Sequence, residues 1–153
     1  MTPTVFTIDQ AEDKDVSEMA EVLTQADLLS YDLLAPETRY WVIRDEQQRI
    51  IATAGLEFGS RAALLRSVAV LPDARSLGLA HTLADCAFQE AASKGYNAVY
   101  LFSVPAGGYW QKLGFEEVPV DEMVQMLPDV PQVNRFAQIH KLENEVAWRK
   151  QLA

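Results

Sequence analysis

The sequence predicts an α/β (α+β) protein with a central mixed, mostly antiparallel sheet of about six or seven strands and flanking helices. Residues 39–44 and 50–58 are strand-like and joined by a short polar loop, which is typical of an antiparallel hairpin. Residues 64–70 form a further strand. A long helical pattern separates it from a strand over residues 97–103, which predicts a parallel pair joined by a right-handed crossover. A chain of 153 residues, 49% hydrophobic and 23% charged, is expected to form one domain over residues 1–153.

The amino-terminal third is predicted to add one strand and one or two helices to this hairpin. Alternating β-branched and aromatic residues over 4–8 indicate the strand. Asp15 or Ser17 is the expected N-cap of a helix, because short polar side chains accept hydrogen bonds from the first turn. Residues 27–34 continue this helix or form a second one, loosely joined, before the chain reaches Pro36. Gly55, inside a strand, marks a bulge or a close approach of another group.

The centre of the chain reads as a strand, a tight turn and a long helix. Residues 64–70 have the length and the apolar character of a buried strand, and Pro72 with Asp73 ends it. From Leu77 onward, apolar residues recur at steps of three and four, which predicts a helix with one buried face. The helix ends at Lys94, before a glycine at the position where left-handed backbone is favoured.

The carboxy-terminal part is predicted to alternate short helices and strands. After the strand over residues 97–103, a short helix ends at Leu113 and a brief strand covers residues 115–118. Two short helices are expected over residues 121–126 and 132–141. The last strand is expected over residues 145–152, with Val146, Trp148 and Lys150 on one face. An apolar final strand carrying Trp148 is compatible with a homodimer as well as with a monomer.

Composition narrows the class of partner and the cellular setting. A net charge of −9 without any basic run argues against nucleic-acid binding, and no stretch approaches the length of a membrane span. The only cysteine, Cys86, allows no intramolecular disulfide, which fits a reducing interior. The amino-terminal residues lack an apolar signal segment. We therefore expect a cytoplasmic protein with neither nucleic acid nor membrane as a partner.

The turn before the long helix has the features of an anion site. A helix that starts here directs unpaired N–H groups and the positive end of its dipole into the turn. Gly78 and Ala80 have almost no side chain, and Arg75 adds a permanent positive charge. Together these features predict a seat for a pyrophosphate. The glycine spacing is not GxGxxG, which argues against a dinucleotide cofactor.

Two motifs resemble those of a known family. Residues 68–80, VAVLPDARSLGLA, are similar to the acyl-CoA-binding signature of the GNAT N-acyltransferases, in which a strand ending in V-x-P precedes Gln/Arg-x-x-Gly-x-Gly/Ala at the start of a helix. Residues 109–115, YWQKLGF, resemble the family's aromatic-x-x-x-Gly-Phe ending of a short helix. The strand and its surroundings also resemble small bacterial GNAT proteins associated with arsenic resistance.

The resemblance implies a fold, a cofactor and a reaction. The middle strands of the sheet are expected to splay apart, and the protein is expected to transfer an acetyl group from acetyl-CoA to the amine of a small molecule by direct attack in a ternary complex. No metal is implied, since His81 and His140 lack the partners of a metal site. The implied cofactor-binding residues are Val68, Ala69 and Val70 for the pantetheine arm, Arg75, Ser76, Leu77, Gly78, Leu79 and Ala80 for the pyrophosphate, and Ser103 for a further hydrogen bond.

The chain departs from the family pattern at the positions of the general base, which deprotonates the amine, and the general acid, which protonates the thiolate. Many relatives carry a glutamate where this chain has Leu64, so Glu57 on the preceding strand is the expected substitute base, acting through a water. The usual tyrosine is replaced by Trp110, whose indole cannot protonate a thiolate, so the adjacent Tyr109 becomes the expected acid. Arg66 is a candidate ligand for the carboxylate of an amino-acid-like acceptor. Tyr31 is a candidate wall of the acceptor pocket.

These departures keep a second interpretation open. In it, the chain is a catalytically weak or inactive GNAT domain that binds acyl-CoA as a sensor or interaction module. A third reading is a mixed α/β protein that binds no CoA.

Overall fold

The structure, a computed structural model, describes residues 6–26, 28, 30, 33–75, 77–103, 107–139, 142 and 145–152. It has a seven-stranded sheet with helices packed on it, which confirms the predicted class. The strands are β1 (Thr7–Gln10), β2 (Thr38–Arg44), β3 (Ile50–Phe58), β4 (Ala63–Val70), β5 (Ala98–Phe102), β6 (Glu116–Val118) and β7 (Ala147–Gln151). The helices are α1 (Val16–Gln25), α2 (Leu79–Ser93), α3 (Gly107–Lys112), α4 (Val120–Met126) and α5 (Pro131–Gln138).

The sheet is mixed, with strand order β1-β2-β3-β4-β5-β7-β6. The predicted parallel pair is present: β4 and β5 pair at Ala63↔Val99 and Leu64↔Tyr100. Antiparallel pairs join β1 to β2, β5 to β7, and β6 to β7. The predicted last strand therefore lies between β5 and β6. The splay of the middle strands stays a prediction.

The chain forms two compact units, and the first combines the described residues up to Gly55 with Ser67–Ala87. Its core packs α1 and α2 residues against β2 and β3, and each fully buried aliphatic side chain there stabilises the fold by roughly 1.5–3 kcal/mol. Gly55 marks a close approach, as predicted, because a Cβ built there would lie 2.2 Å from the Tyr40 ring. The largest fully buried side chains of this unit are Met19, Leu23, Tyr40, Ile43, Ile50, Ile51 and Leu83.

Asp15 is at the N-cap position of α1, as predicted, but its side chain does not cap the helix. Its Oδ2 accepts a hydrogen bond from the Glu12 N–H at 2.9 Å, and its Oδ1 accepts one from Arg44 Nη2 at 2.9 Å. The residue is 4% exposed, so its carboxylate ties the start of α1 to the end of β2 from inside the fold.

The second unit combines Leu56–Arg66 with the described residues from Phe88 onward. The two predicted short helices are present as α4 and α5, and they pack on Leu64 of β4 and Tyr100 of β5. Trp148 is 5% exposed, and its Nε1 donates to the Ser103 carbonyl at 2.8 Å. The side chain on which the homodimer expectation depended is therefore buried within the chain.

Several boundaries differ from the prediction. The first strand, predicted over residues 4–8, is Thr7–Gln10, so Asp9 and Gln10 lie in the strand rather than in a turn; residues 4 and 5 lie outside the described residues. Helix α2 begins at Leu79 rather than at Leu77, whose side chain is 56% exposed instead of buried. The helix predicted over residues 27–34 is absent from the described residues there: α1 ends at Gln25, and Leu34 lies in a turn with φ of 58°. Residues 27, 29, 31 and 32 lie outside the described residues. In the described parts of the chain, no helix is long and apolar enough to cross a bilayer.

Candidate functional site

Strand β4 is locally distorted at Ser67, just before the predicted pantetheine-binding residues. Ser67 has φ of 59°, a left-handed conformation that costs a non-glycine residue roughly 1–3 kcal/mol. The buried Thr53 hydroxyl donates to the Ser67 carbonyl at 2.7 Å and so fixes this peptide. Beyond it, Ala69 is buried, whereas Val68 and Val70 are half-buried. The backbone that follows the distortion is therefore set by a specific side chain of β3.

The turn after β4 places Arg75 beside the strand's end. Leu71 N–H donates to the Ile51 carbonyl at 2.8 Å, and a 3-10 turn over Pro72–Ala74 then reverses the chain. Arg75 is exposed, and its Nε donates to the Val70 carbonyl at 3.2 Å. The guanidinium thus lies against the last residue of β4.

Gly78 supplies the open backbone at the start of α2. It has φ of +75°, and a Cβ built on it would meet no atom within 4 Å. Its carbonyl accepts hydrogen bonds from the Thr82 N–H and hydroxyl, both at 3.1 Å, which makes Gly78 the N-cap of this 15-residue helix. The first N–H groups of α2, at Leu79 and Ala80, have no partner within the helix. The backbone here is open to an approaching group, and the anion site stays a prediction; Ser76 lies outside the described residues.

Helix α3 carries the predicted acid. Tyr109 is 39% exposed, whereas Trp110 is 7% exposed and packs edge-on against Phe115 with ring centroids 5.5 Å apart. Lys150 Nζ donates to the Leu113 carbonyl at 2.6 Å, directly after the helix. A positive charge at a helix C-terminus is favourable. The helix is therefore held by a buried indole and an ammonium group, while the Tyr109 ring reaches the surface.

Glu57 and Arg66 are brought together by the structure. Arg66 Nη1 donates to Glu57 Oε2 at 2.9 Å, and the side chains are 2% and 0% exposed. Glu57 Oε1 accepts a hydrogen bond from the backbone N–H of Gln132 at 2.9 Å. Both oxygens of this carboxylate therefore already accept a hydrogen bond from the protein. The roles of base for Glu57 and of carboxylate ligand for Arg66 stay predictions.

Of the two remaining candidate site residues, the structure describes Ser103 but not Tyr31. Ser103 is half-buried, and its backbone is engaged within the chain, with its N–H donating to the Val146 carbonyl at 3.0 Å. Tyr31 lies outside the described residues.

Burial, followed by the charge of Asp85, raises the pKa of the Cys86 thiol, which disfavours the nucleophilic thiolate. Among the described residues, no group of three His, Cys, Asp or Glu side chains could hold a metal ion.

Sequence reasoning misses two contributors to this region. Thr53 does not stand out, because a threonine in a strand interior is ordinary and the left-handed Ser67 that it supports has no sequence signature. Gln132 acts through its backbone N–H, which no residue type can reveal. The opposite charges of Glu57 and Arg66, on two strands joined by a short turn, are the available signal for their pairing.

Comparison with known proteins agrees with these features. A family model described as the acetyltransferase (GNAT) family matches residues 4–115. No protein with a curated description shows a significant sequence match to the chain.

Solved structures extend the similarity of fold over nearly the whole chain. A GNAT-family acetyltransferase from Staphylococcus aureus Mu50 superposes with a TM-score of 0.76 at 14% identity, covering 97% of this chain and 100% of its own. An acetyltransferase from Streptococcus agalactiae 2603 gives 0.72 at 13% identity, covering 96% and 98%.

A third similar structure was solved with ligands bound. N-acetylglutamate synthase from Neisseria gonorrhoeae, complexed with coenzyme A and N-acetyl-glutamate, gives a TM-score of 0.76 at 17% identity over 99% of this chain. The present chain spans only 36% of the length of that enzyme.

Proposed function

This chain belongs to the GNAT acetyltransferase family, and from that premise we propose that it transfers an acetyl group from acetyl-CoA to the amine of a small molecule by direct attack in a ternary complex. We propose further that residues 1–153 act as a single acyltransferase domain. Its setting in this proposal is the cytoplasm, as a monomer or homodimer, without nucleic acid or membrane as a partner.

One observation carries the proposal: the open, left-handed Gly78 at the start of α2, with Arg75 in the preceding turn. The diphosphate of CoA is doubly charged, and helix N–H groups with an arginine are the donors that suit it. A net charge of −9 makes such a concentration of positive potential necessary for an anionic ligand to bind. In this assignment Arg75, Ser76, Leu77, Gly78, Leu79 and Ala80 hold the diphosphate.

The pantetheine arm would then follow the end of β4. Its amide groups can pair with backbone groups of Val68, Ala69 and Val70 as a further strand would. The left-handed Ser67, supported by Thr53, sets the direction of the backbone that follows. An N–H of this segment could polarise the thioester carbonyl, a contribution of about 3–4 kcal/mol where such donors have been removed. Ser103 is the proposed additional contact with the cofactor.

The reaction requires the protein to align the two reactants and to assist two proton transfers. The neutral amine attacks the thioester carbonyl carbon, the C–S bond breaks, and the amine proton leaves to a base while the thiolate takes a proton. Alignment of the two reactants could lower the barrier by about 7–11 kcal/mol. Tyr109, with its partly exposed ring, is the proposed donor to the thiolate, and such a group contributes about 10²–10⁴-fold.

The proposed acceptor substrate is a small amine, and within that class we propose amino-acid-like molecules. The Neisseria gonorrhoeae synthase, which has this fold, is complexed with N-acetyl-glutamate, which supports that class without identifying the acceptor here. Tyr31 is the proposed contribution to the acceptor pocket.

A second candidate function is a weak or inactive domain that binds acyl-CoA as a sensor. The observation that favours it is the pairing of Glu57 with Arg66, together with the burial of Trp110 where relatives carry a tyrosine. In this second function the protein still binds the diphosphate of CoA, but it has no groups that transfer protons at the reacting atoms.

One experiment separates these functions. Thiol release from acetyl-CoA is measured with a panel of amines and amino acids, and thermal stabilisation by CoA is measured beside it, with acetyl-pantetheine as the control that lacks the diphosphate. Turnover with at least one acceptor, together with stabilisation by CoA but not by acetyl-pantetheine, supports the transferase. Stabilisation without turnover favours the sensor, and the absence of stabilisation by CoA would refute both.

A further inference from the structure

The buried ion pair between Glu57 and Arg66 calls for a physical reason. Both side chains are almost fully removed from water, 0% and 2% exposed, and the Nη1 to Oε2 distance is 2.9 Å. Burying two charges costs several kcal/mol for each ion, and their attraction offsets this only with good geometry and additional hydrogen bonds. An apolar pair of similar volume is often equally stable. The charges are therefore expected to serve something beyond stability alone.

The additional hydrogen bond comes from a helix. Glu57 Oε1 accepts from the Gln132 N–H at 2.9 Å, and Gln132 is the second residue of α5, directly after Pro131. A proline at the first position has no N–H to offer, so Gln132 carries the first free donor of this eight-residue helix. A carboxylate at this place compensates an unpaired donor and the positive end of the helix dipole. Glu57 thus supplies from β3 the cap that the residue before α5, Val130, cannot provide.

Helix α5 covers the same face of β4 on which Arg66 lies. Residues 64 and 66 are on one side of the strand, because side chains alternate along it. Leu64 is fully buried in an apolar cluster that includes Leu127, Val130 and Val133, from α5 and the turn before it. The apolar cluster and the ion pair therefore hold α5 against two neighbouring positions on one face of β4.

We propose that Glu57 and Arg66 are a positioning pair that seats the N-terminus of α5 on β3 and β4, and that they do not exchange protons with the acceptor. Apolar contacts stabilise the packing of α5 but depend little on its exact orientation. The hydrogen bond from the Gln132 N–H to the Glu57 carboxylate does depend on orientation, so it selects one position of the helix. Insofar as this pair shapes the acceptor side of β4, the inference rests on the proposed function. Its structural part does not.

The test compares three variants: Glu57→Gln, Arg66→Met, and the two combined. Each single variant leaves a buried group without its charged partner, and the melting temperature should fall by about 10 °C. The double variant removes both charges, while the amide oxygen introduced at position 57 can still accept from the Gln132 N–H. It should recover most of the lost melting temperature and retain slow hydrogen exchange at the Gln132 amide.

The pH dependence of thiol release separates positioning from proton transfer. A positioning pair predicts that the double variant keeps the shape of the wild-type profile, because no titrating group of the reaction is lost. A double variant that is as stable as the wild type but has lost the acidic limb of the profile would make Glu57 the base and overturn the proposal. A double variant no more stable than either single variant would also overturn it. Failure of CoA binding by the wild-type protein would refute the proposed function and leave the stability comparison valid.

Discussion

The Thr53 hydroxyl donates a 2.7 Å hydrogen bond to the carbonyl of Ser67, the residue at which β4 takes a left-handed conformation. Replacing Thr53 with Val keeps the shape of the side chain and leaves that carbonyl without this donor. We expect the free energy of unfolding to fall by about 1–3 kcal/mol, the cost of an unsatisfied buried group. Chemical denaturation measures it. Thr53→Ser, which keeps the hydroxyl, is the control, and equal losses in the two variants would argue against a role for the hydrogen bond.

Gly78 is expected to be essential for CoA binding. A side chain here would project where the diphosphate is proposed to lie, and φ of +75° adds a strain of about 1–2 kcal/mol for any L residue. Gly78→Val should abolish thermal stabilisation by CoA. Gly95, at the other end of α2, has φ of +87° and equally open space, so Gly95→Val carries the same backbone strain. If both variants bind CoA alike, the assignment of Gly78 fails.

Arg75 is expected to contribute a charged hydrogen bond to the diphosphate. Arg75→Ala should weaken CoA binding by about 1.5–3 kcal/mol, roughly 10- to 150-fold in the dissociation constant. Titration calorimetry measures the loss, and its size should shrink as salt is added. Arg61→Ala removes another exposed arginine, from the turn before β4, and should leave the affinity near that of the wild type. Equal affinities for the two variants would remove Arg75 from the site.

Tyr109 is expected to act at the leaving thiolate rather than in binding. Tyr109→Phe should lower kcat by about 10²-fold or more, with little change in the affinity for CoA. Steady-state kinetics with any acceptor found active in the panel provides the comparison. The ring of Tyr109 packs edge-on against Trp110 with centroids 5.0 Å apart, and phenylalanine keeps that contact. An unchanged kcat would remove the phenol from the mechanism.

Asp15 is expected to make stability depend on pH in the acid range. Burial raises the pKa of its carboxyl, but hydrogen bonds from the Glu12 N–H and from Arg44, with the charge of Arg44, more than compensate and lower the pKa below its usual value. In the unfolded chain the pKa of an Asp carboxyl is about 4. The stabilisation is therefore present above pH ~4 and is lost as the pH falls through the lowered pKa of the folded state.

Melting temperatures of the wild type and of Asp15→Asn, measured from neutral pH downward, test this expectation. The difference between the two proteins should be largest near neutral pH and should shrink below pH ~4. Asp13→Asn, at an exposed neighbour in the same 3-10 turn, is the control for the loss of an acidic side chain from this turn. A difference that stays constant with pH would mean that the charge of Asp15 is not what stabilises this region.

The central strands of the sheet are well predicted from the sequence, because their residue pattern reports burial directly; β1, whose residues are all exposed, is predicted a few residues too early. The predicted strand over residues 50–58 coincides with β3, whose residues are almost all buried. The predicted start of α2 is wrong because Leu77 continues the apolar spacing of the helix, although the chain turns through a left-handed Gly78 before helical backbone begins. Periodicity records side-chain type, whereas the helix start depends on backbone conformation.

The candidate functional site is harder to predict from the sequence than the strands are. Arg75 and Gly78 can be found because their proposed function depends on local chain order. Glu57 and Arg66 receive separate roles from the sequence, since the contact between them depends on how two strands align and on a backbone group far along the chain, in Gln132. The opposite charges of Glu57 and Arg66 hint at their pairing, but the hydrogen bond from the Gln132 backbone has no signature in one sequence.

The position of β7 between β5 and β6 affects the order in which the sheet can be assembled. During synthesis β6 leaves the ribosome well before β7, yet every sheet partner it has in the described structure belongs to β7. Until the chain has been extended through Gln151, β6 has no described strand to pair with. The β5-β7-β6 part of the sheet can therefore be completed only after β7 has been synthesised.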